Sequence, residues 1–365
     1  MPEETPDSPA VPRTRAEAQA NRRAVGVRDA LERHDRRIGW MDVLRGLAIL
    51  LVVLHHSTQI VEYRVGELPE PFTFLSAFFA PFRMPMLMFL SGLLVAGSLT
   101  RPTGEYVWGK LRRILWPIVV WTLVYNGMEF IVDGVFSLDV WNTYLWFMQF
   151  VLAYYLIALL IRRLPVWVLI VVPLVGAFLV ADPALELLQR FLYLMPFFFL
   201  GALIEKHWDR YATLLSARRA AILCVIPLAI AVYSGLDDLW ARQAGVEDGG
   251  GLWYLPWAAV PAMLGILILV RVCVLIPDVR WLAPVRFVGR YSLIYYCSHY
   301  PVFAALGWLA ARAGLAQPTL ALVVIFLATL AISTAFALVG RRMPVSLLFE
   351  LPKRLGTRGK DTAAR

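Results

Sequence analysis

The sequence predicts an all-α, polytopic integral membrane protein with about ten transmembrane helices. Three observations carry this. Of 365 residues, 59% are hydrophobic, above the roughly 45–50% of soluble domains, and the mean hydropathy is +0.65. Apolar runs close to the about 20 residues needed to cross a 30 Å hydrocarbon core recur along most of the chain. The charges between those runs alternate in sign from one connection to the next.

Residues 1–38 are polar and basic, and no small-residue cleavage site follows the first apolar run. They read as a partly disordered or weakly helical cytoplasmic tail and not as a signal peptide. Apolar spans are expected near 40–60, 74–98, 113–132, 143–161, 166–182, 188–205, 217–235, 253–274, 287–311 and 319–339, within a membrane domain over 39–340. The fourth to sixth are short. A basic cytoplasmic tail is expected over 341–365.

One set of connections holds Arg101, Lys110, Arg112 and Arg113, then Arg162 and Arg163, then Lys206, Arg210, Arg218 and Arg219, then Arg271, Arg280 and Arg286. The other set holds Glu62, Glu67, Glu70, Asp133, Asp139, Asp182, Glu186, Asp237, Asp238, Glu247 and Asp248. The positive-inside rule places the first set and both termini in the cytoplasm of a cell-membrane protein. The net charge of +9 is therefore spread along membrane edges and does not point to nucleic acid. Cys224, Cys273 and Cys297 all lie in apolar segments without a CxxC pair, so they read as buried thiols. No internal repeat of the kind seen in many transporters is visible.

Ionisable residues inside these spans are the functional signal, because charge is costly in lipid and is kept for cavities. The stretch "MDVLRGLAILLVVLHHSTQ" carries Asp42, Arg45, His55 and His56. On a helix Arg45 and His56 lie about 20° apart around the axis and about 16 Å along it, with Asp42 on the same side and His55 about 80° away. The plain alternatives are an interfacial Asp42–Arg45 cap and a hydrogen-bonded core histidine. In "FRMPMLMFLSGLL", Arg83 precedes Pro85 inside the span and wants an anion or several carbonyls. Ser91 and Gly92 read as helix packing. In "KLRRILWP", Lys110, Arg112 and Arg113 are either topological flanks or a docking patch for a phosphorylated ligand. "YLWFMQFVLAYYLI" offers Trp146 and Gln149, whose plain readings are interfacial belt and interhelical glue. "FVGRYSLIYYCSHYPVF" puts Ser292 and Tyr295 within about 40° of His299 on one helical stripe, with Arg290 nearly opposite. His55 and His56 point apart and have no third ligand, so no metal site is expected.

These stretches together resemble the membrane acyltransferase 3 family. "LRGLAILLVVLHH" is similar to its signature of an arginine eleven positions before a histidine, here Arg45 and His56. "FRMPMLMFLSGLL", "KLRRILWP", "YLWFMQFVLAYY", "YLMPFFFLGALIEK" and "VGRYSLIYYCSHYPVF" resemble further motifs of the family, in the family's order, over about residues 38–350. Two positions depart from it: Lys110-x-x-Arg113 stands where two arginines are commoner, and Arg83 where some relatives have histidine.

The resemblance implies transfer of an acyl group from cytoplasmic acyl-CoA to a hydroxyl, commonly of a sugar or glycolipid, at or across the membrane, with the lipid bilayer as the protein's surroundings. Acyl-CoA is then a co-substrate, with no permanently bound cofactor and no nucleic-acid partner. On this reading His56 is the general base, Arg45 positions the donor or steadies the thioester oxyanion, and Asp42 orients Arg45. His299 holds the acceptor or relays a proton. Arg83, Lys110, Arg113, Trp146, Gln149, Ser292 and Tyr295 bind substrates. Acetyl is the default acyl group and succinyl stays open, as does a covalent acyl-histidine route. A transporter or flippase without acyl transfer is the competing class, since intramembrane charges suit it equally.

Overall fold

The computed structural model describes residues 15–134, 143–161, 163–180, 183–246, 254–276, 279–340 and 342–352. Residues 1–14 of the expected N-terminal tail, and 341 and 353–365 of the C-terminal one, lie outside the described residues. Among the described residues the regular structure is helical. In order these are α1 (Arg15–Arg64), α2 (Glu70–Phe78), α3 (Ala80–Gly92), α4 (Val95–Leu99) and α5 (Thr103–Lys110). A π-helical turn (Leu111–Leu115) leads into α6 (Trp116–Asp133). Then come α7 (Trp146–Leu160), α8 (Val168–Leu179), α9 (Glu186–Lys206), α10 (Trp208–Leu214), α11 (Ala217–Leu223) and α12 (Val225–Gln243). α13 (Ala259–Leu275), α14 (Ala283–Arg290), α15 (Ser292–Arg312) and α16 (Pro318–Val339) complete the bundle.

Among the described residues, seven stretches are long and apolar enough to cross a membrane: Gly39–Arg64, Glu70–Leu99, Thr103–Ile131, Glu186–Lys206, Ala217–Gln243, Pro256–Leu275 and Pro318–Val339. The other three expected spans coincide with α7, α8 and α15. α7 and α8 have 15 and 12 residues, about 22 and 18 Å at 1.5 Å per residue, short of a hydrocarbon core. α15 has the length, with 21 residues, but its serines, tyrosines and histidine keep it outside the apolar set. Leu160, Ile131, Leu179 and Leu338 are exposed on the outer surface of the bundle. Asp42, Arg83, Arg112 and His299 are buried within it. Apolar outside and polar inside is the arrangement a lipid solvent selects.

Prolines remove backbone hydrogen bonds inside several spans, and hydroxyls from neighbouring segments meet two of the freed carbonyls. Pro81 has no N–H for the carbonyl of Ala77, and the Ser234 hydroxyl of α12 donates to that oxygen at 2.8 Å. Pro301 likewise frees the carbonyl of Cys297, which accepts from the Tyr144 hydroxyl at 2.5 Å. Pro227 lies four residues after the end of α11, and the chain breaks there at Cys224 before α12 begins. The span expected at 287–311 is two helices separated by Tyr291, at φ −105° and ψ 21°. Wheel angles between Arg290 and His299 therefore do not apply.

Two close crossings fix the first helix and the second span. A Cβ on Gly289 would lie 1.8 Å from the carbonyl oxygen of Asp42, and one on Gly92 would lie 1.8 Å from that of Phe198. Only glycine admits such approach.

Candidate active site

A cavity of about 1230 Å³ is walled by α1, α2, α3, α9 and α12, with Tyr144, Trp146, Tyr254 and Tyr296 closing it. His55 and His56 both line it. The first helix delivers them because it runs unbroken through Gly39–Arg64 and turns its polar side inward.

His56 is held from its own helix. Its Nδ1 is 2.9 Å from Oε1 of Gln59, one turn on. An amide oxygen only accepts, so Nδ1 carries the proton and Nε2 keeps its lone pair. The ring stacks on Phe303 at 5.7 Å between centroids, with 10° between planes. The ring of His299 is 5.3 Å away. His299 is 1% exposed and stands behind His56, outside the cavity wall. Its Nδ1 donates to the carbonyl of Tyr296 at 2.7 Å, and its Nε2 has no hydrogen-bond partner among the described residues. The backbone carbonyl fixes His299 as the tautomer with a basic Nε2, and the Gln59 amide oxygen suits the same tautomer of His56.

Arg83 lines the same cavity although it is only 3% exposed. Its Nη1 lies 3.4 Å from the Ser76 hydroxyl, which also contacts Nδ1 of His55 at 2.8 Å. Trp146 is on the wall as well. Its position is set by reciprocal ties, the Tyr144 hydroxyl to Cys297 and the Tyr296 hydroxyl to the carbonyl of Tyr144 at 2.7 Å.

A second cluster forms toward the start of α1's membrane segment. Oδ1 of Asp42 is 3.6 Å from Nη1 of Arg45, and its Oδ2 is 3.6 Å from Nε of Arg290. Tyr155 joins Arg45 to the basic motif: it is an electrostatic neighbour of Arg45, and Nζ of Lys110 sits 3.2 Å above its ring. The π turn at "LRRIL" gives Arg112 and Arg113 different surroundings, with Arg112 buried and Arg113 exposed. Both meet one carboxylate, since Oε1 of Glu350 is 2.7 Å from Nη1 of Arg112 and 3.0 Å from Nε of Arg113.

Glu350 belongs to a docked segment where a basic tail was expected. The indoles of Trp116 and Trp121 donate to the carbonyls of Leu347 and Leu348 at 2.6 and 2.9 Å, and Phe349 is 4% exposed.

The structure therefore brings His56, Arg83 and Trp146 to one cavity and Asp42, Arg45 and Lys110 to another cluster, with Arg113 beside it on Glu350. It does not bring the expected polar seam of α15 to the cavity. The Tyr295 hydroxyl bonds Thr334 of α16 at 2.5 Å, and neither Ser292, Tyr295 nor Gln149 reaches the cavity wall. Sequence reasoning passed over Gln59, Ser76, Tyr155 and Glu350. Gln59 was findable, as the i+3 neighbour of His56. The others are joined to their partners only by the tertiary fold. Among the described residues no three His, Cys, Asp or Glu side chains are grouped to hold a metal.

Residues 38–338 match the family described as "Acyltransferase domain". The chain belongs to this acyltransferase family. The seven apolar stretches agree with a multi-pass membrane protein of that family. The chain is also 29% identical over 216 residues to the nodulation protein NolL of Sinorhizobium fredii (strain NBRC 101917 / NGR234), a match over 55% of this chain and 57% of that protein. The chain thus spans little more than half the length of that relative. No solved structure matches.

Proposed function

We propose that this acyltransferase moves an acyl group, by default acetyl, from cytoplasmic acyl-CoA to a hydroxyl of a carbohydrate or glycolipid acceptor. The chain crosses the membrane ten times with both termini in the cytoplasm, α7, α8 and α15 completing the set within the bundle. The observation that carries the reading is on α1: a histidine with a free Nε2 in a large polar cavity, about 16 Å along the same helix from an arginine in the basic cluster. The cluster of Arg45, Lys110, Arg112 and Arg113 suits the phosphates of CoA. The acceptor enters the cavity.

The acceptor hydroxyl oxygen attacks the thioester carbonyl carbon while His56 Nε2 takes its proton. The C–S bond then breaks, and the departing CoA thiolate recovers the proton. Arg45 is too distant from His56 to touch the same carbonyl, so its place is on the donor. Of the guanidinium groups that line the cavity with His56, Arg190 and Arg242 are held by carboxylates, and Arg83 steadies the oxyanion. Asp42 orients Arg45, and His299 backs His56. The wall position of Trp146 gives it the acceptor.

The test is acyl transfer in membranes containing the wild-type chain, from radiolabelled acetyl-CoA and succinyl-CoA to an extract of the cell's own glycans. Label in a glycan with either donor is expected. Absence of label with both donors, in folded protein, contradicts the proposal.

A further inference from the structure

We infer that the acceptor taken by this cavity is an uncharged oligosaccharide, neither a single sugar nor an anionic glycan. The inference rests on the reading of the cavity as the acceptor site.

Size comes first. At about 1230 Å³ the cavity exceeds the roughly 300–1,000 Å³ of sites that enclose drug-sized ligands. One sugar ring would leave most of it filled with water. The wall between α7 and α9 is also shaped for a second contact away from His56. Arg190 lies over the rings of Trp146 and Tyr254, 5.1 and 5.0 Å from their centroids. Tyr254 holds a left-handed backbone, with φ 57°, a conformation that costs a non-glycine residue about 1–2 kcal/mol. Such strain tends to be kept where a side chain must be aimed at a ligand. A guanidinium lying over two aromatic rings offers N–H donors beside apolar ring edges, which suits the hydroxyls and C–H groups of a further sugar unit.

Charge comes second. Cavity-lining guanidinium groups are largely neutralised by carboxylates of the same wall. Arg242 is held by Glu62 at 2.9 Å and by Asp238 at 2.8 Å, and Arg190 pairs with Glu186. Glu67 and Glu70 add two exposed carboxylates to the wall. Glu70 accepts from the neutral amide of Gln243, at 3.5 Å. Among the described residues the cavity therefore presents five carboxylates against three arginines. Membrane topology does not require this excess, because orientation is set by lysine and arginine and owes little to acidic residues. A negative wall repels an approaching uronate, sialate or phosphorylated sugar within a Debye length of about 8 Å and leaves a neutral glycan unaffected.

The experiment separates the cell's glycan extract before reaction, by anion exchange into neutral and acidic pools and by size into single sugars and longer chains. Each pool is offered to the wild-type enzyme with the labelled acyl-CoA. Labelling of the neutral, longer pool is expected to exceed that of the acidic pool by about tenfold or more at low salt. Equal or better labelling of the acidic pool, or of single sugars, overturns the inference while leaving acyl transfer intact. No label in any pool overturns the acyl-transfer reading and the inference with it. A Glu67→Lys, Glu70→Gln variant is expected to raise labelling of the acidic pool severalfold at low salt, with the gain lost in high salt. An unchanged neutral-to-acidic ratio in that variant contradicts the assignment of selectivity to these carboxylates.

Discussion

The ring of His299 stands 5.3 Å from that of His56, centroid to centroid, yet only His56 faces the cavity. Two imidazoles from helices distant in sequence, each pinned at Nδ1 by an oxygen, thus form a layered pair. One lines the cavity, and the other stands behind it.

Replacement of His299 by phenylalanine should keep the layered packing and remove Nε2. Because His299 has no contact with the cavity, kcat should fall by about tenfold or more while acceptor KM stays within about twofold. Steady-state kinetics in membranes measures both. A rise in acceptor KM alone would place His299 on the acceptor instead.

Gln59 supports the tautomer of His56 with a basic Nε2. Loss of one such hydrogen bond is worth about 0.5–1.5 kcal/mol, so Gln59→Leu should lower kcat by about two- to tenfold. Gln59→Glu, which retains an acceptor oxygen at the same reach, should recover most of the rate. Failure of the glutamate variant to recover would remove the orienting role.

The crossing at Gly289 holds the carbonyl of Asp42 too close for any side chain. Gly289→Val should destabilise the bundle by about 1–3 kcal/mol or more. Thermal unfolding of purified protein in detergent, followed by tryptophan fluorescence, should show a lowered midpoint. An unchanged midpoint would mean that α1 and α14 are not packed this closely.

Much of this was legible because membranes enforce simple rules. Apolar runs found the helices, and the arginine and histidine of "LRGLAILLVVLHH" located both clusters on α1. The limits of legibility are specific. Apolar runs cannot show a distant hydroxyl that meets a carbonyl freed by a proline, as Tyr144 meets that of Cys297, four residues before Pro301. The wheel treated 287–311 as one rod, and the break at Tyr291 let Arg290 reach Asp42. Tyr295 looked like a site residue from its angle on the helix, but it faces α16 and bonds Thr334. Charge counting read the region after 340 as a basic tail, whereas Phe349 and Glu350 dock the described residues 342–352 against the arginine motif.

Glu350 occupies the guanidinium groups that the donor's phosphates would meet. Removing its charge in Glu350→Gln should lower donor KM by up to about fivefold, the range expected for a partly exposed ion pair, while acceptor KM is unaffected. Donor KM that rises would show that Glu350 supports the donor site.

The central claim is that His56 takes the proton from the acceptor hydroxyl. The most direct test compares transfer from labelled acyl-CoA by wild type and His56→Ala in membranes at equal levels of folded protein. The account predicts a loss of about 100-fold or more in kcat, with donor binding retained because the basic cluster lies about 16 Å away. Transfer by His56→Ala at a rate near that of wild type would contradict it.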